Sequence, residues 1–294
     1  MKRLRPLGLR IALYAVLAGI AYVYLYPLLF MVATSFKSLT DLLDPMVQWL
    51  PRQPDVANFT RAWVVLNFPT TLTLTLLAAL LPALAQTLVC ALVGTGFARY
   101  PFPGSRLAFV LMLVVFILPP QVLLIPRFLV FKDLNLLGGL ASTVVPALLA
   151  QGIGASLFIL LFFQFARMIP KSLEESALVD GAGAAKVFLR ITVPLMAPAF
   201  LIAFLFSMVW YWNETAQSGL FFGDGWTTLP LQIDRFTAAF EKHYPGGATG
   251  SVDKINEAVR MAGLLLATAP LLALYAVMQR WFVQSIDKAG ITGE

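Results

Sequence analysis

Charged side chains and cysteine are scarce in this sequence, and histidine is almost absent. Charged residues make up 12% of the 294 residues and hydrophobic residues 59%, whereas a soluble domain usually carries about a quarter charged residues. The single cysteine, Cys90, allows no disulfide framework, and the single histidine excludes an all-histidine metal cage. No Cys/His cluster has metal-ligand spacing. We therefore expect no metal site, and we do not interpret the net charge of +6 as a nucleic-acid footprint.

Two further absences narrow the class of protein to which this chain can belong. The sequence has no G-x-x-x-x-G-K-[ST] phosphate-binding loop, so we expect the chain neither to hydrolyse ATP nor to hold a cofactor of its own. It also lacks the alternating strands of about 10 residues that form outer-membrane barrels. It has instead apolar runs of about 20 residues or more, the length that a membrane helix needs. These runs predict an all-α membrane protein with a single transmembrane domain over residues 1–294.

Six apolar runs predict six transmembrane helices. The first extends from Ile11 to about Phe36, which is too long for the roughly 7–15-residue apolar region of a signal peptide, so we expect it to be retained. The third is expected to bend at Pro119 and Pro120. The predicted spans are residues 11–35, 71–98, 107–131, 140–165, 199–216 and 259–283.

Lysine and arginine are distributed unequally between the two sides of these spans. With both termini in the cytoplasm, twelve of the 21 lie on that side, as the positive-inside rule requires. We therefore expect a multi-pass protein of the bacterial inner membrane, with the loop between spans four and five, residues 168–196, facing the cytoplasm. The twelve are Lys2, Arg3, Arg5, Arg10, Arg99, Arg106, Arg167, Lys171, Lys186, Arg190, Arg280 and Lys288.

The loop at residues 168–196 is predicted to begin with a short helix. Pro170 and Ser172 indicate its start, and Ser172 and Glu175 have the S-x-x-E spacing of a capping box. The helix is expected to end near Asp180. Its acids fit two interpretations, an ordinary loop with capped helices or a docking site for a partner.

A second helix is predicted immediately afterwards. Gly181 and Gly183 are expected to separate the two helices, because glycine adopts the left-handed conformation at little cost. The second helix should extend from about Ala184 to Thr192, and Pro194 should redirect the chain.

The stretch "EESALVDGAGAAKVFLRITVP", residues 174–194, resembles the EAA motif of bacterial ABC-importer permeases. That motif reads Glu-Ala-Ala, three residues, Gly, nine residues and Ile-x-Leu-Pro. This sequence departs from it twice, with Ser176 in place of the first alanine and Val193 in place of leucine. The matching positions are Glu175, Ala177, Gly181, Ile191 and Pro194.

Most of the chain shares this resemblance. The stretches "YPLLFMVATSFK", "FARYPFPGSR", "LPPQVLLIPRFLVFKDLNLL" and "WYWNE" are similar to segments of the maltose-type and glycerol-3-phosphate-type permeases with six spans. The resemblance implies import of a sugar or related polyol. It also implies a second permease subunit, two copies of a nucleotide-binding ATPase subunit that hold ATP and Mg, an extracytoplasmic substrate-binding protein and a lipid bilayer as partners.

The resemblance further implies that the loop at residues 168–196 carries a coupling helix that seats in the ATPase subunit. Gly181 would permit a tight turn, Glu175 and Asp180 would cap and position the helix, and Ala177 would allow close contact. Arg190 would reach acidic groups of the partner. The implied docking residues are Glu175, Ser176, Ala177, Asp180, Gly181, Arg190, Ile191 and Pro194.

Candidate substrate contacts lie in and beside the spans. Aromatic rings stack on sugars, and amides or carboxylates bind hydroxyl groups, but aromatic belts and polar links between helices are ordinary alternatives. The candidates are Gln121, Trp210, Trp212, Asn213 and Glu214.

A glycine-rich external tip and the C-terminal tail are further candidate contacts. The tip, with Tyr244, Gly246 and Gly247, resembles in position a loop that maltose-type permeases insert into their binding protein, although it could be a plain connector. The tail "FVQSIDKAGITGE" is similar to a family C-terminus that can lie against the ATPase subunits, but Glu294 departs from that pattern.

Two other function classes compete with an importer permease. An ion-gradient-driven secondary transporter should carry charges at mid-span and an inverted repeat, and a membrane-embedded enzyme should carry a clustered catalytic set. The sequence favours neither, so no catalytic residue is assigned.

Overall fold

The computed structural model describes residues 7–223, 225–244 and 256–290. This part of the chain is helical and contains no strand, as an all-α membrane protein requires. A 3₁₀ turn covers Pro120–Leu123, and a π-helical turn covers Phe188–Thr192. The α-helices are α1 Leu7–Ser35, α2 Leu39–Leu43, α3 Ala57–Leu66, α4 Phe68–Arg99, α5 Ser105–Ile117, α6 Leu124–Asp133, α7 Ala141–Leu148, α8 Ala155–Met168, α9 Lys171–Val179, α10 Ala184–Val187, α11 Val193–Leu195, α12 Ala197–Asn213, α13 Ala216–Phe221, α14 Leu229–Asp234, α15 Phe236–His243 and α16 Glu257–Gly290.

Within the described residues, three helices are long and apolar enough to cross a membrane by themselves. They lie within α1, α4 and α16, at Gly8–Ser35, Phe68–Arg99 and Glu257–Arg280. Three bent helix pairs raise the number to six if each pair is one span. The six-span prediction therefore agrees with the helices, and the first, second and sixth spans coincide with single helices.

The third and fourth predicted spans are broken. The third bends by 100° between α5 and the Pro120–Asp133 segment, as Pro119 and Pro120 predicted. The fourth was predicted as one helix over 140–165, and this is wrong, because residues 149–154 separate α7 from α8. Ala150 and Gly154 adopt left-handed conformations there, with φ of 58° and 67°, which no α-helix accommodates.

The chain divides into two units. The first joins the described parts of Met1–Phe68 and Ile233–Pro270, and the second joins Pro69–Gln232 to the described part of Leu271–Glu294. The single transmembrane domain inferred from the sequence stays a prediction.

The first unit contains residues 37–68, which lie between the first two predicted spans. Asn58, almost fully buried on α3, donates to the carbonyls of Ser35 at 3.0 Å and Lys37 at 2.9 Å. The Lys37 ammonium donates to the carbonyls of Val47 and Gln48 at 2.9 and 2.8 Å. These bonds give order to a proline-rich segment that has little helix of its own.

The second unit has its core between α4, α8 and α12. Phe158 and Phe162 of α8 are buried there with Cys90 of α4. Gly94 brings α4 and α8 into close contact, since a Cβ atom at this position would lie 2.6 Å from the Ile159 carbonyl oxygen and 2.7 Å from Cβ of Phe162. Small residues let membrane helices approach in this way.

Candidate functional site

One exposed polar feature of the second unit is the helix α9 with the turn that follows it. Glu175, Ser176 and Asp180 are exposed, and Ala177 is half-buried. Leu178 and Val179 expose 52% and 88% of their surface. The helix α9 thus presents both acids and apolar side chains at its surface.

The helix α9 does not begin with the predicted capping box, and that prediction is wrong. Pro170 is the N-cap residue, and no side chain caps the helix. Because the helix starts at Lys171, Ser172 lies inside the first turn, where its carbonyl accepts a hydrogen bond from the Ser176 hydroxyl at 2.8 Å. Glu175 is therefore exposed on α9 and does not act in a capping box.

The turn after α9 is a Schellman motif centred on Gly181. The Gly181 amide donates to the Leu178 carbonyl at 3.0 Å, and the Ala182 amide donates to the Ala177 carbonyl at 2.9 Å. Gly181 has φ of 82°, so the prediction of a left-handed glycine is confirmed here. Asp180 is the C-cap residue, as placed from the sequence.

The segment beyond the turn differs from its prediction. Gly183 has φ of −71° and ψ of 160°, an extended conformation, and it is the N-cap of α10 rather than a left-handed break. The chain then stays helical through Leu195, past the predicted end at Thr192. Pro194 does not redirect it. Since a π-helical turn precedes Pro194, the helix widens where proline cannot donate a hydrogen bond.

The bend lies instead at Met196, where the helical segments on either side make an angle of 76°. Arg190 is exposed on the π-helical turn, Ile191 is half-buried and Pro194 is exposed. The second helix therefore presents Arg190 at the surface.

Glu174, which sequence reasoning assigned no role, joins α9 to the end of α4. Its Oε1 atom lies 3.1 Å from Nε of Arg99, and the two side chains expose only 15% and 6% of their surface. Arg99 also donates through Nη2 to the Ile169 carbonyl at the C-cap of α8. The acid in the first turn of α9 was visible in the sequence, but its partner lies 75 positions away along the chain (174 − 99).

A second polar cluster lies within the spans. Gln86 of α4, fully buried, donates to the Ile153 carbonyl at 2.7 Å and to the Ser207 hydroxyl at 3.1 Å. It accepts a hydrogen bond from the Tyr211 hydroxyl at 2.8 Å, and that hydroxyl accepts one from the Ile153 amide at 3.1 Å. The cluster satisfies the backbone where the fourth span is broken, which agrees with the view that such polar residues join helices.

The predicted substrate contacts at the end of α12 differ in their exposure. Trp212 is buried in the core, and Trp210 packs on Phe158 with ring centroids 5.2 Å apart. Asn213 is exposed and donates to the Val209 carbonyl at 2.9 Å. These residues stay predictions, and in this conformation Trp212 offers no surface to a sugar.

The remaining candidates are Glu214, Gln121 and the residues of the glycine-rich tip. Glu214 accepts a hydrogen bond from the Gln217 amide at 2.7 Å, and Gln121 is exposed in the 3₁₀ turn. Tyr244 stacks on Phe240 with centroids 4.9 Å apart. Gly246, Gly247 and the tail from 291 are not among the described residues.

Comparison with known proteins gives a consistent result. The profile of the family described as "Binding-protein-dependent transport system inner membrane component" matches residues 86–288. The diacetylchitobiose uptake system permease protein DasC of Streptomyces coelicolor is 29% identical over 91% of this chain and 92% of its own length. The arabinooligosaccharides transport system permease protein AraQ of Bacillus subtilis is 24% identical over 97% and 96%.

A solved structure has the same fold. It belongs to a bacterial ABC transporter involved in the import of the acidic polysaccharide alginate, and the match has a TM-score of 0.77. It covers 96% of this chain and 100% of that chain, at 21% sequence identity.

Proposed function

The chain belongs to the family of binding-protein-dependent transport system inner membrane components, and from that premise we propose that it is a permease subunit of an ATP-driven importer for a sugar or related polyol. The family makes it a transport component rather than an enzyme, and its apolar helices make it a multi-pass membrane protein. The ion-driven transporter considered above has no support from these relatives.

The observation that carries the proposal is the exposed knuckle, by which we mean α9 with the Gly181 turn, in a chain of this family. The knuckle carries the acids and small residues of the motif, and its Gly181 turn is held by two backbone hydrogen bonds. A rigid, exposed element of this kind transmits a displacement as a body. The docking surface comprises Glu175, Ser176, Ala177, Asp180, Gly181, Arg190, Ile191 and Pro194.

The energy comes from a partner in this scheme. A nucleotide-binding ATPase subunit, present in two copies, holds ATP and Mg, and its closure displaces the knuckle. A second permease subunit completes the path, and an extracytoplasmic binding protein delivers the substrate. We place the knuckle and both ends of the chain on the cytoplasmic side of the bacterial inner membrane, because this orientation puts twelve of the 21 basic residues there.

A sugar substrate is supported by the relatives, several of which are named for oligosaccharides. The test is to purify the tagged chain from its membranes, identify co-purifying ATPase and second permease subunits, and reconstitute the complex. Uptake is then measured with diacetylchitobiose, an arabinooligosaccharide, maltose, glycerol 3-phosphate and an alginate oligosaccharide. We expect ATP-dependent uptake of at least one. Purification without an ATPase subunit, or uptake driven by an ion gradient alone, would refute the proposal.

A further inference from the structure

The guanidinium of Arg99 lies where three helix ends meet. Arg99 is the last residue of α4, Ile169 is the C-cap residue of α8, and Glu174 lies in the first turn of α9. The guanidinium contacts the carboxylate of Glu174 at 3.1 Å and donates to the carbonyl of Ile169. One side chain thus connects α9, the helix proposed to dock, to two helices of the second unit's core.

The charges at this junction suit the helix ends that they occupy. A helix C-terminus favours a cation, because its last carbonyls are unpaired, and a helix N-terminus favours an acid. Arg99 meets the first condition for α8, and Glu174 meets the second for α9. Nη2 of Arg99 makes a directional hydrogen bond to the Ile169 carbonyl, whereas Nε and the Glu174 Oε1 atom pair by charge, since neither of these two atoms has a hydrogen-bond partner among the described residues. A guanidinium can present both nitrogens at once, which the point charge of a lysine does less well.

The burial of Arg99 and Glu174 indicates the structural role of their ion pair. Arg99 and Glu174 are more than four-fifths buried, whereas the neighbouring Glu175 and Arg106 are exposed. A buried ion pair usually adds little net stability over packed apolar side chains, but losing one partner leaves a buried charge uncompensated. The pair therefore acts chiefly as a geometric constraint on the 72° angle between α8 and α9.

We propose that Arg99 is a positioning residue for coupling: it locks α9 to the cytoplasmic ends of α4 and α8, so that a displacement of α9 moves both membrane helices with it. This inference rests on the proposed docking of α9. Without the contacts of Arg99, α9 would pivot about Ile169 and Pro170. The ATPase subunit would then displace the knuckle without displacing α4 and α8.

The test compares Arg99→Ala and Arg99→Lys with Arg106→Ala, a matched control that removes an exposed arginine from the adjacent loop. Hydrogen exchange of the α9 amides is measured in the assembled transporter, together with uptake per ATP hydrolysed for the sugar of the above panel that is taken up fastest. We expect Arg99→Ala to assemble, to exchange about tenfold faster in α9 and to lose at least about fivefold in uptake per ATP. Arg99→Lys should be intermediate and Arg106→Ala unchanged.

Glu174→Gln keeps the shape of the side chain and serves if Arg99→Ala does not assemble; it should shift both measurements in the same direction. Normal α9 exchange and normal uptake per ATP in the assembled Arg99→Ala complex, or in Glu174→Gln if that complex is the one that assembles, would overturn the proposal. A cysteine crosslink from Val179→Cys to the ATPase subunit separates the two hypotheses. Its absence in an otherwise wild-type chain refutes the docking, whereas a normal crosslink with normal coupling in Arg99→Ala refutes only the role of Arg99.

Discussion

Replacing Gly181 by valine should uncouple ATP hydrolysis from transport while leaving the protein in the membrane. Gly181 has φ of 82°, and a Cβ atom there would meet no atom within 4 Å. The penalty is therefore conformational and not a clash. A residue other than glycine pays about 1–2 kcal/mol in the left-handed region, with β-branched residues among the worst tolerated. That penalty lowers the population of the capped turn about 5- to 30-fold relative to other conformations.

Two control variants isolate the cause of that loss. Gly181→Asn adds a side chain but tolerates the left-handed conformation, so it should retain most of the coupling. Gly183→Val places the same bulk two residues away, at an extended backbone where a Cβ atom also meets nothing, and it should behave as wild type.

The assay is uptake per ATP hydrolysed in proteoliposomes, with the amount of assembled complex measured in parallel. We expect Gly181→Val to assemble normally and to lose at least about fivefold in uptake per ATP. Wild-type coupling in Gly181→Val would refute the reasoning, and so would an equal loss in Gly183→Val, because bulk and not backbone conformation would then be responsible.

Two further changes test the helix contacts behind the knuckle. Gly94→Ala should destabilise the α4–α8 contact by about 1–3 kcal/mol through overpacking and lower the melting temperature in detergent. Gly96→Ala is the control and should not lower it, because a Cβ atom at Gly96 meets nothing within 4 Å. Equal melting temperatures for the two variants would contradict the close approach of the helices. Gln86→Ala should cost about 1–3 kcal/mol, because it removes the side-chain donor to the Ile153 carbonyl and the acceptor of the Tyr211 hydroxyl proton. Gln164→Ala, at an exposed position of α8, is its control, and an equal melting temperature for the two variants would remove the cluster's assigned role.

The sequence predicted features that depend on local chemistry. Long apolar runs predicted the helices α1, α4 and α16, and the Pro119–Pro120 pair predicted the bend of the third span, because proline acts on its own turn. The left-handed turn at Gly181 was predictable for the same reason.

Features that depend on distant partners were not predictable in this way. The break at 149–154 is stabilised by Gln86 and Tyr211 from other helices, and nothing within the fourth apolar run identifies those partners. The expected capping box was wrong because the helix starts at Lys171, after Pro170, two residues too early for Ser172 to cap it. The ion pair of Glu174 with Arg99 required the fold.

Site-specific crosslinking is the most direct test of the proposed contact between the knuckle and an ATPase subunit on the cytoplasmic side. The chain has one native cysteine, Cys90, which is fully buried, so an introduced cysteine can be addressed selectively. Val179 on α9 and Leu43, which lies between the first two predicted spans, expose 88% and 76% of their surface. In the assembled transporter, Val179→Cys should crosslink to the ATPase subunit and should not react with a membrane-impermeant thiol reagent added outside the cell. Leu43→Cys should react with that reagent and form no such crosslink. Labelling of Val179→Cys from outside, without a crosslink to the ATPase subunit, would contradict the account.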